Sequence, residues 1–439
     1  MQRTTLITIG VALLIGTGLA IAFCPTLYPP HFEGRDYVAI ANFDYAHVYS
    51  YYGARVLHPL IVRAVASIAQ RPADAYVFRF VSVASLIALF LLLGLYYASE
   101  FPWTPWLFLP LVATATVVDE YRNYYWHDLF YAALCALFFL ALRMNRWVSL
   151  PILLMLYMTR ESTILLVAVL VLVAMLRRQW GFLVSVLLVG MAGMKATSML
   201  MARAMPNHHG VSMLTLDVLK VPFNFALNIC GLEFWTNTNA ATLDPPRWVA
   251  DVPSWLHLGN IRQVGYCGFH GVRPLGMLVL MCSAFGTLPA LVIRAVTRGG
   301  VRLHNQRFDC AVAFVYGGIM FVLAPLVGSI PSRYILYSWP MFWIFAVGLM
   351  NATTADTRRR IEFVLLSLAA SWAPAFIRVF SGTKLTDSES VSVVSSGGLM
   401  VSLVVLLAIY IGAWYWLTPS GRAVGLLQSE DQLSRRPRC

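Results

Sequence analysis

Charge is what this chain has little of. Only 12% of its 439 residues are charged, and nowhere do they gather into a stretch long enough to clothe a water-soluble domain, so none is expected. No internal repeat and no low-complexity block is present, which leaves one membrane domain and excludes a solenoid or a string of modules. The seven cysteines show no metal-ligand spacing. Only Cys230 and Cys267 share a long loop, where an oxidising compartment would allow a disulfide. The formal net charge is +12, but the basic side chains are spread through short loops without a basic domain or an aromatic stacking platform. Nucleic-acid binding is therefore not expected. No small-x-small site precedes Cys24, and Phe23 spoils a lipoprotein site, so the first apolar segment reads as a retained helix.

What is abundant is apolar sequence, 59% of the chain. In a bilayer every peptide group must be satisfied internally, so apolar runs without alternation are helices. The expected fold is an all-α polytopic membrane protein of about 12 transmembrane helices, between about 10 and 13. The spans fall at Thr5–Phe23, Phe80–Tyr97, Pro105–Val118, Leu129–Leu142, Trp147–Met158, Thr163–Leu176, Phe182–Ala202, Leu275–Val296, Cys310–Val327, Tyr334–Met350, Ile361–Val379 and Leu399–Leu417. Those beginning at Leu129, Trp147 and Thr163 are short, and must tilt under protein cover or be partly buried.

An N-terminus on the inside puts Arg143 and Arg146, Arg177 and Arg178, Arg298, Arg302 and Arg307, Arg358 to Arg360 and the RRPR tail on the cytoplasmic face. Most acidic residues then lie outside, which places the site on the extracytoplasmic face of a cell inner membrane, with both termini cytoplasmic. The chain divides into a module of residues 1–273, C-terminal helices over 274–418 and a basic cytoplasmic tail over 419–439. Within the first lie surface helices in 33–70 and a long outer loop, 205–273, that reads as a lid on the interface.

Candidate chemistry sits in the outer segments. Asp36 and Asp44 are eight residues apart on an expected helix and project within roughly 80° of each other. A carboxylate beside Tyr37 and Tyr45 at a membrane surface gains proton affinity, which suits a general base; the plain alternative is a solvated charge or a partner for Arg35. Arg55 and His58, one turn apart, suit a shared anionic ligand, or only lipid headgroups. Asp119, Glu120, Arg122, His127 and Asp128 crowd a turn rich in Tyr and Trp, which is either an interface belt or a place for a divalent metal or sugar hydroxyls. Arg160 and Glu161 interrupt an apolar stretch and either neutralise each other or mark a site at two helix ends. Arg333 and Tyr334 open a late span, where a lone arginine ordinarily snorkels.

Taken together, an acid followed by Tyr in the first outer loop, then YGARVLHPLI, a second acidic turn, TRES and a late RY resemble the GT-C superfamily, membrane glycosyltransferases that use polyprenyl-phosphate sugars. The surface helices and the long loop after the seventh span agree with that architecture over the first 273 residues. The resemblance implies Asp36 as general base, basic residues near the donor phosphate and a glycan, lipid or protein acceptor; charge, more than any motif, points for the phosphate to Arg55, Arg122, Arg160 and Arg333. It places the family's metal-associated acidic motif on Asp119 and Glu120; the family often has two acids one residue apart, and DEY here leaves metal dependence open. Asp44, His58, Asp128, Glu161 and Tyr334 complete the expected substrate site. The rival reading is a multi-pass transporter or flippase of a lipid-linked or small anionic substrate, although no two related halves are visible.

Overall fold

The computed structural model describes residues 3–31, 33–98, 109–205, 213–237, 244–256, 260–297, 307–327, 331–343, 357–380 and 396–416. These are mostly helical, with little sheet. The helices are α1 (Arg3–Ala22), α2 (Glu33–Ala41), α3 (Leu57–Ile68), α4 (Ala75–Ala98), α5 (Ala115–Arg122), α6 (Asp128–Met144), α7 (Arg146–Tyr157), α8 (Thr163–Leu176) and α9 (Trp180–Met201). After α10 (Met213–Cys230) come β1 (Leu232–Thr236), β2 (Val249–Asp251) and β3 (Gln263–Phe269). The chain continues through α11 (Val272–Ser283), α12 (Leu288–Thr297), α13 (Phe308–Val327), α14 (Pro331–Tyr337), α15 (Thr357–Phe380) and α16 (Ser396–Trp416).

Among the described residues five helices, α1, α4, α9, α13 and α16, are long and apolar enough to cross a membrane. Only 22% of the apolar windows of α1, α9 and α16 is buried, so most of each presents Leu, Ile, Val and Met outward. A face of that kind is unfavourable against water and compatible with a hydrocarbon surrounding. The core runs through α4, α6, α7 and α8 and on to α13 and α14. α9 approaches α7 because residue 193 is glycine: a Cβ there would meet the Tyr157 ring at 2.6 Å.

Three expectations change. The span Leu275–Val296 is two helices, α11 and α12, broken where Gly286 takes a left-handed conformation (φ 57°) against the Ser367 backbone. The third span is a 3-10 turn, Leu109–Val112, followed by α5, while its first residues, 105–108, lie outside the described ones, as does the 344–350 end of the span from Tyr334. The Trp-rich part of the 205–273 loop is an antiparallel sheet of order β1-β3-β2. Strands of three to seven residues with a bulge after Glu233 leave too little alternation to be seen in a sequence. The pair Leu232 and Phe269 stands between Cys230 and Cys267 along this sheet, and both thiols are free.

Candidate functional site

Acidic residues favour a helix start, and α2 opens with Glu33 and Asp36 in its first turn. Glu33, Asp36 and Tyr37 follow an i, i+3, i+4 pattern, so one face of α2 carries all three. The helix stops at Ala41, and the chain reverses at Phe43, whose φ is 60°. Asp44 therefore leaves the helical register. It is exposed and paired with His47 at 2.7 Å, whereas Asp36 is buried. The expected common face of Asp36 and Asp44 does not form, because it required a helix that continued for eight residues.

Asp36 Oδ1 accepts the backbone N–H of Tyr49 at 3.0 Å. The carbonyl of the same peptide group, on Val48, accepts from the N–H of Met205 at 2.8 Å, which makes a parallel bridge between Tyr49 and Met205. Burial raises the Asp36 carboxyl above the ordinary carboxylate range, and the charge of Glu33 adds to this while the Tyr49 N–H opposes it.

Beside Asp36, six residues close a ring of polar contacts. Arg333 Nη1 donates to both carboxylate oxygens of Glu33 (2.8 and 3.0 Å), and Arg333 Nε lies 3.3 Å from Asp128 Oδ2. Asp128 Oδ1 accepts from Arg160 Nη1 at 2.5 Å and from the Tyr337 hydroxyl. Arg160 Nη1 lies 3.2 Å from His127 Nε2, His127 Nδ1 lies 2.9 Å from the Tyr37 hydroxyl, and that hydroxyl donates to Glu33 (3.3 Å). A guanidinium only donates, so Nε2 of His127 accepts and the proton sits on Nδ1. Arg160 also donates to the Tyr337 hydroxyl at 2.7 Å, and its guanidinium lies over the rings of Tyr334 and Tyr337.

Arg55 attaches to this ring from the other side. It grips Glu161 with two hydrogen bonds, 2.9 and 2.5 Å, and donates to Tyr37 at 3.1 Å. That pairing outweighs the effect of burial and holds the Glu161 carboxyl below its usual range. Arg160 and Glu161 thus serve different partners and do not neutralise each other. His58 was expected to share a ligand with Arg55. Its ring instead packs among Tyr37, Phe78 and Phe130, and burial lowers its pKa to about 4, so it is a neutral imidazole.

Arg333 does not snorkel: its guanidinium is buried 3.7 Å from the Trp126 ring centre. Asp119 and Glu120 lie on α5, not in a turn, and as neighbours in a helix they point about 100° apart. Glu120 is buried, and the Ser332 hydroxyl is turned toward its carboxyl. Burial, with the nearby charge of Asp128, pushes its pKa up to about 8. A divalent metal does not fit these residues: the Arg333 guanidinium bears on Glu120, and among the described residues no three His, Cys, Asp or Glu converge. Arg122, at the end of α5, turns toward the Phe23 ring (5.9 Å).

The structure therefore brings Asp36, Arg55, Asp128, Arg160, Glu161 and Arg333 together with Tyr37 and His127, which the sequence showed only as their neighbours, and with Glu33 and Tyr337, which it did not single out. A weak signal existed for the last two, since Glu33 stands one helical turn before Tyr37 and Tyr337 one turn after Arg333. No protein-family model, no curated protein and no solved structure matches this chain.

Proposed function

We propose that this chain is a membrane glycosyltransferase of the GT-C type, which moves a sugar from a polyprenyl-phosphate donor to a glycan, lipid or protein acceptor with inversion. The observation that carries the reading is Asp36, a buried carboxyl of raised proton affinity, fixed by one backbone N–H and flanked on its own helix by residues that hold Arg333 and Arg55. A general base needs that proton affinity. The reading includes about twelve spans, cytoplasmic termini and an extracytoplasmic site in the inner membrane.

In this mechanism Asp36 takes the proton of an acceptor hydroxyl, whose oxygen attacks the anomeric carbon. The bond from that carbon to the phosphate oxygen breaks, its electron pair stays on the departing polyprenyl phosphate, and the configuration inverts. Arginine is suited to the developing anion because its planar fork donates twice. Each central guanidinium already holds a carboxylate, and the pair with the most solvent access is Arg55 with Glu161, whose side chain is 24% exposed against 14% for Glu33 and none for Asp128. We assign the donor phosphate to Arg55, where it displaces Glu161. No step is routed through a metal.

The test is release of polyprenyl phosphate from a panel of polyprenyl-phosphate sugars by purified protein in lipid, with and without a chelator. Release by wild type and not by a folded Asp36→Asn variant supports the reading. Full activity in Asp36→Asn removes Asp36 as the base. No turnover with any donor moves the weight to transport of a lipid-linked substrate.

A further inference from the structure

The charged cluster occupies one end of α6 and α8, and the far end of the same helices carries a second, simpler group of charges. α6 leaves the cluster at Asp128 and ends at Met144, while α8 leaves it at Thr163 and ends at Leu176. At 17 and 14 residues they span about 26 and 21 Å, which approaches the roughly 30 Å of a hydrocarbon core. The α6–α7 and α8–α9 turns therefore belong at the opposite headgroup level of a bilayer that the cluster borders.

Those two turns are fastened together. Arg146 Nη1 donates to Oε1 of Gln179 at 2.8 Å, its guanidinium stands 6.0 Å from the Phe182 ring centre, and Trp147 meets the same ring edge-on at 5.9 Å. Residues 143–149 and 175–182 hold Arg143, Arg146, Arg177 and Arg178 and no acid. On α13, whose Phe308 packs on Phe182, the carboxylate of Asp309 is buried and already taken by Arg307 at 2.7 Å and the Tyr96 hydroxyl at 2.8 Å. Positive charge is thus left without a local answer. Around it Trp147 and Trp180 are 50% and 59% exposed, and Met144, Val148 and Leu176 are exposed with them. Arginine and indole above an open apolar face match a phospholipid, headgroup first and acyl chains below.

Arg178 gives an independent sign. It holds the left-handed position that closes α8 (φ 54°), with the N–H of Gln179 on the Ala174 carbonyl at 2.9 Å. Glycine takes that conformation without strain and arginine does not. Strained residues gather where the side chain serves a ligand.

We propose that Arg146, Arg177 and Arg178, flanked by Trp147 and Trp180, bind the phosphate headgroup of an anionic phospholipid at the membrane face opposite the charged cluster. A guanidinium meets a phosphate with two parallel hydrogen bonds, and the exposed apolar side chains beside it receive the acyl chains. Such a site requires a membrane and is independent of the transferase reading.

The test is thermal unfolding of the full-length protein in detergent micelles, titrated separately with phosphatidylglycerol, phosphatidylcholine and inorganic phosphate. A ligand that binds only the folded state raises Tm with its concentration. Phosphatidylglycerol should raise Tm of wild type at concentrations where phosphatidylcholine and inorganic phosphate do not. Arg178→Gly, which relieves the backbone strain, should keep or raise the lipid-free Tm and yet need about 5-fold more phosphatidylglycerol for the same shift. Arg146→Gln should weaken the response by about as much. Arg358→Gln, an equal loss of charge at an exposed position of α15, should leave it unchanged. Arg178→Gly decides the matter where Arg146→Gln does not fold. Any of these results overturns the site: a phosphatidylcholine shift as large, an inorganic phosphate shift that makes a soluble anion the ligand, a wild-type response in Arg178→Gly, or an equal loss in Arg358→Gln, which reduces the effect to general surface charge.

Discussion

In the charged cluster, partners come from far apart in the chain: Arg333 meets Glu33 across 300 residues, and Tyr337 meets Asp128 across 209. In the three-stranded sheet, segments of one short stretch pair with one another and leave Phe269 exposed, with Trp248 just before β2 and Trp255 just after it exposed as well. The cluster is charged and largely buried, so its members depend on one another. The sheet has backbone ladder bonds, open aromatic rings and side-chain contacts between near neighbours, such as Phe234 with Tyr266 and Glu233 with His270, so its coupling is short in range. A buried ion ring converts a distant substitution into a local fault, while a surface sheet does not.

The sharpest way to break that comparison is Arg160→Met. It leaves Asp128 buried beside one cation fewer, and loss of one partner of a buried pair costs about 3–5 kcal/mol, so a large fall in Tm is expected. A comparably small loss would mean that the ring is wetter than its burial indicates. Next is Asp36→Asn, which should retain its Tm yet lose two to four decades of transfer rate, the usual contribution of a general base. Asp44→Asn, exposed and outside the helix, should leave rate and Tm unchanged. Because the proton affinity of Asp36 is raised, the acid limb of the wild-type pH–rate profile should lie above the range of a free aspartate.

Glu120→Gln tests a smaller effect through pH. The folded protein binds the Glu120 proton more tightly than the unfolded chain does, with a pKa of about 8 against 4.5. The contribution to stability is therefore complete below pH 4.5 and is lost as pH rises to about 8. Tm of wild type should fall over that window, and Glu120→Gln should remove that part of the fall. The smallest effect belongs to the sheet: Trp248→Ala, at an exposed position, should change stability within about ±0.5 kcal/mol. A larger loss would show that the sheet's outer rings are covered.

Much of the helical fold was legible because its signal is local. Apolar runs near Thr5, Leu129, Thr163, Phe182, Cys310 and Leu399 all lie on helices close to the expected bounds. Gly286 was not legible as a break, since what makes it one is the close approach of Ser367, a contact between distant residues. The cluster was half visible. Asp128, Arg160, Glu161 and Arg333 stood out as charges in apolar surroundings, but their pairing did not, and Arg160 and Glu161 were natural to pair with each other as neighbours. A surface helix was expected around Glu33 and Tyr37, but not that the face of α2 carrying them turns inward onto Arg333 and Arg55, because those partners lie far along the chain.

The peptide group between Val48 and Tyr49 is one rigid plane. Its carbonyl is held by the N–H of Met205, just beyond the end of α9, and its N–H is given to Asp36. A carbonyl that accepts a hydrogen bond makes the N–H of its own amide a stronger donor. The lever at Met205 thus tunes a carboxylate it never touches: engaged, it steadies the charge on Asp36, and released, it leaves Asp36 a more avid proton acceptor. The affinity of Asp36 for a proton is in this way written partly into the path of the chain more than a hundred residues later.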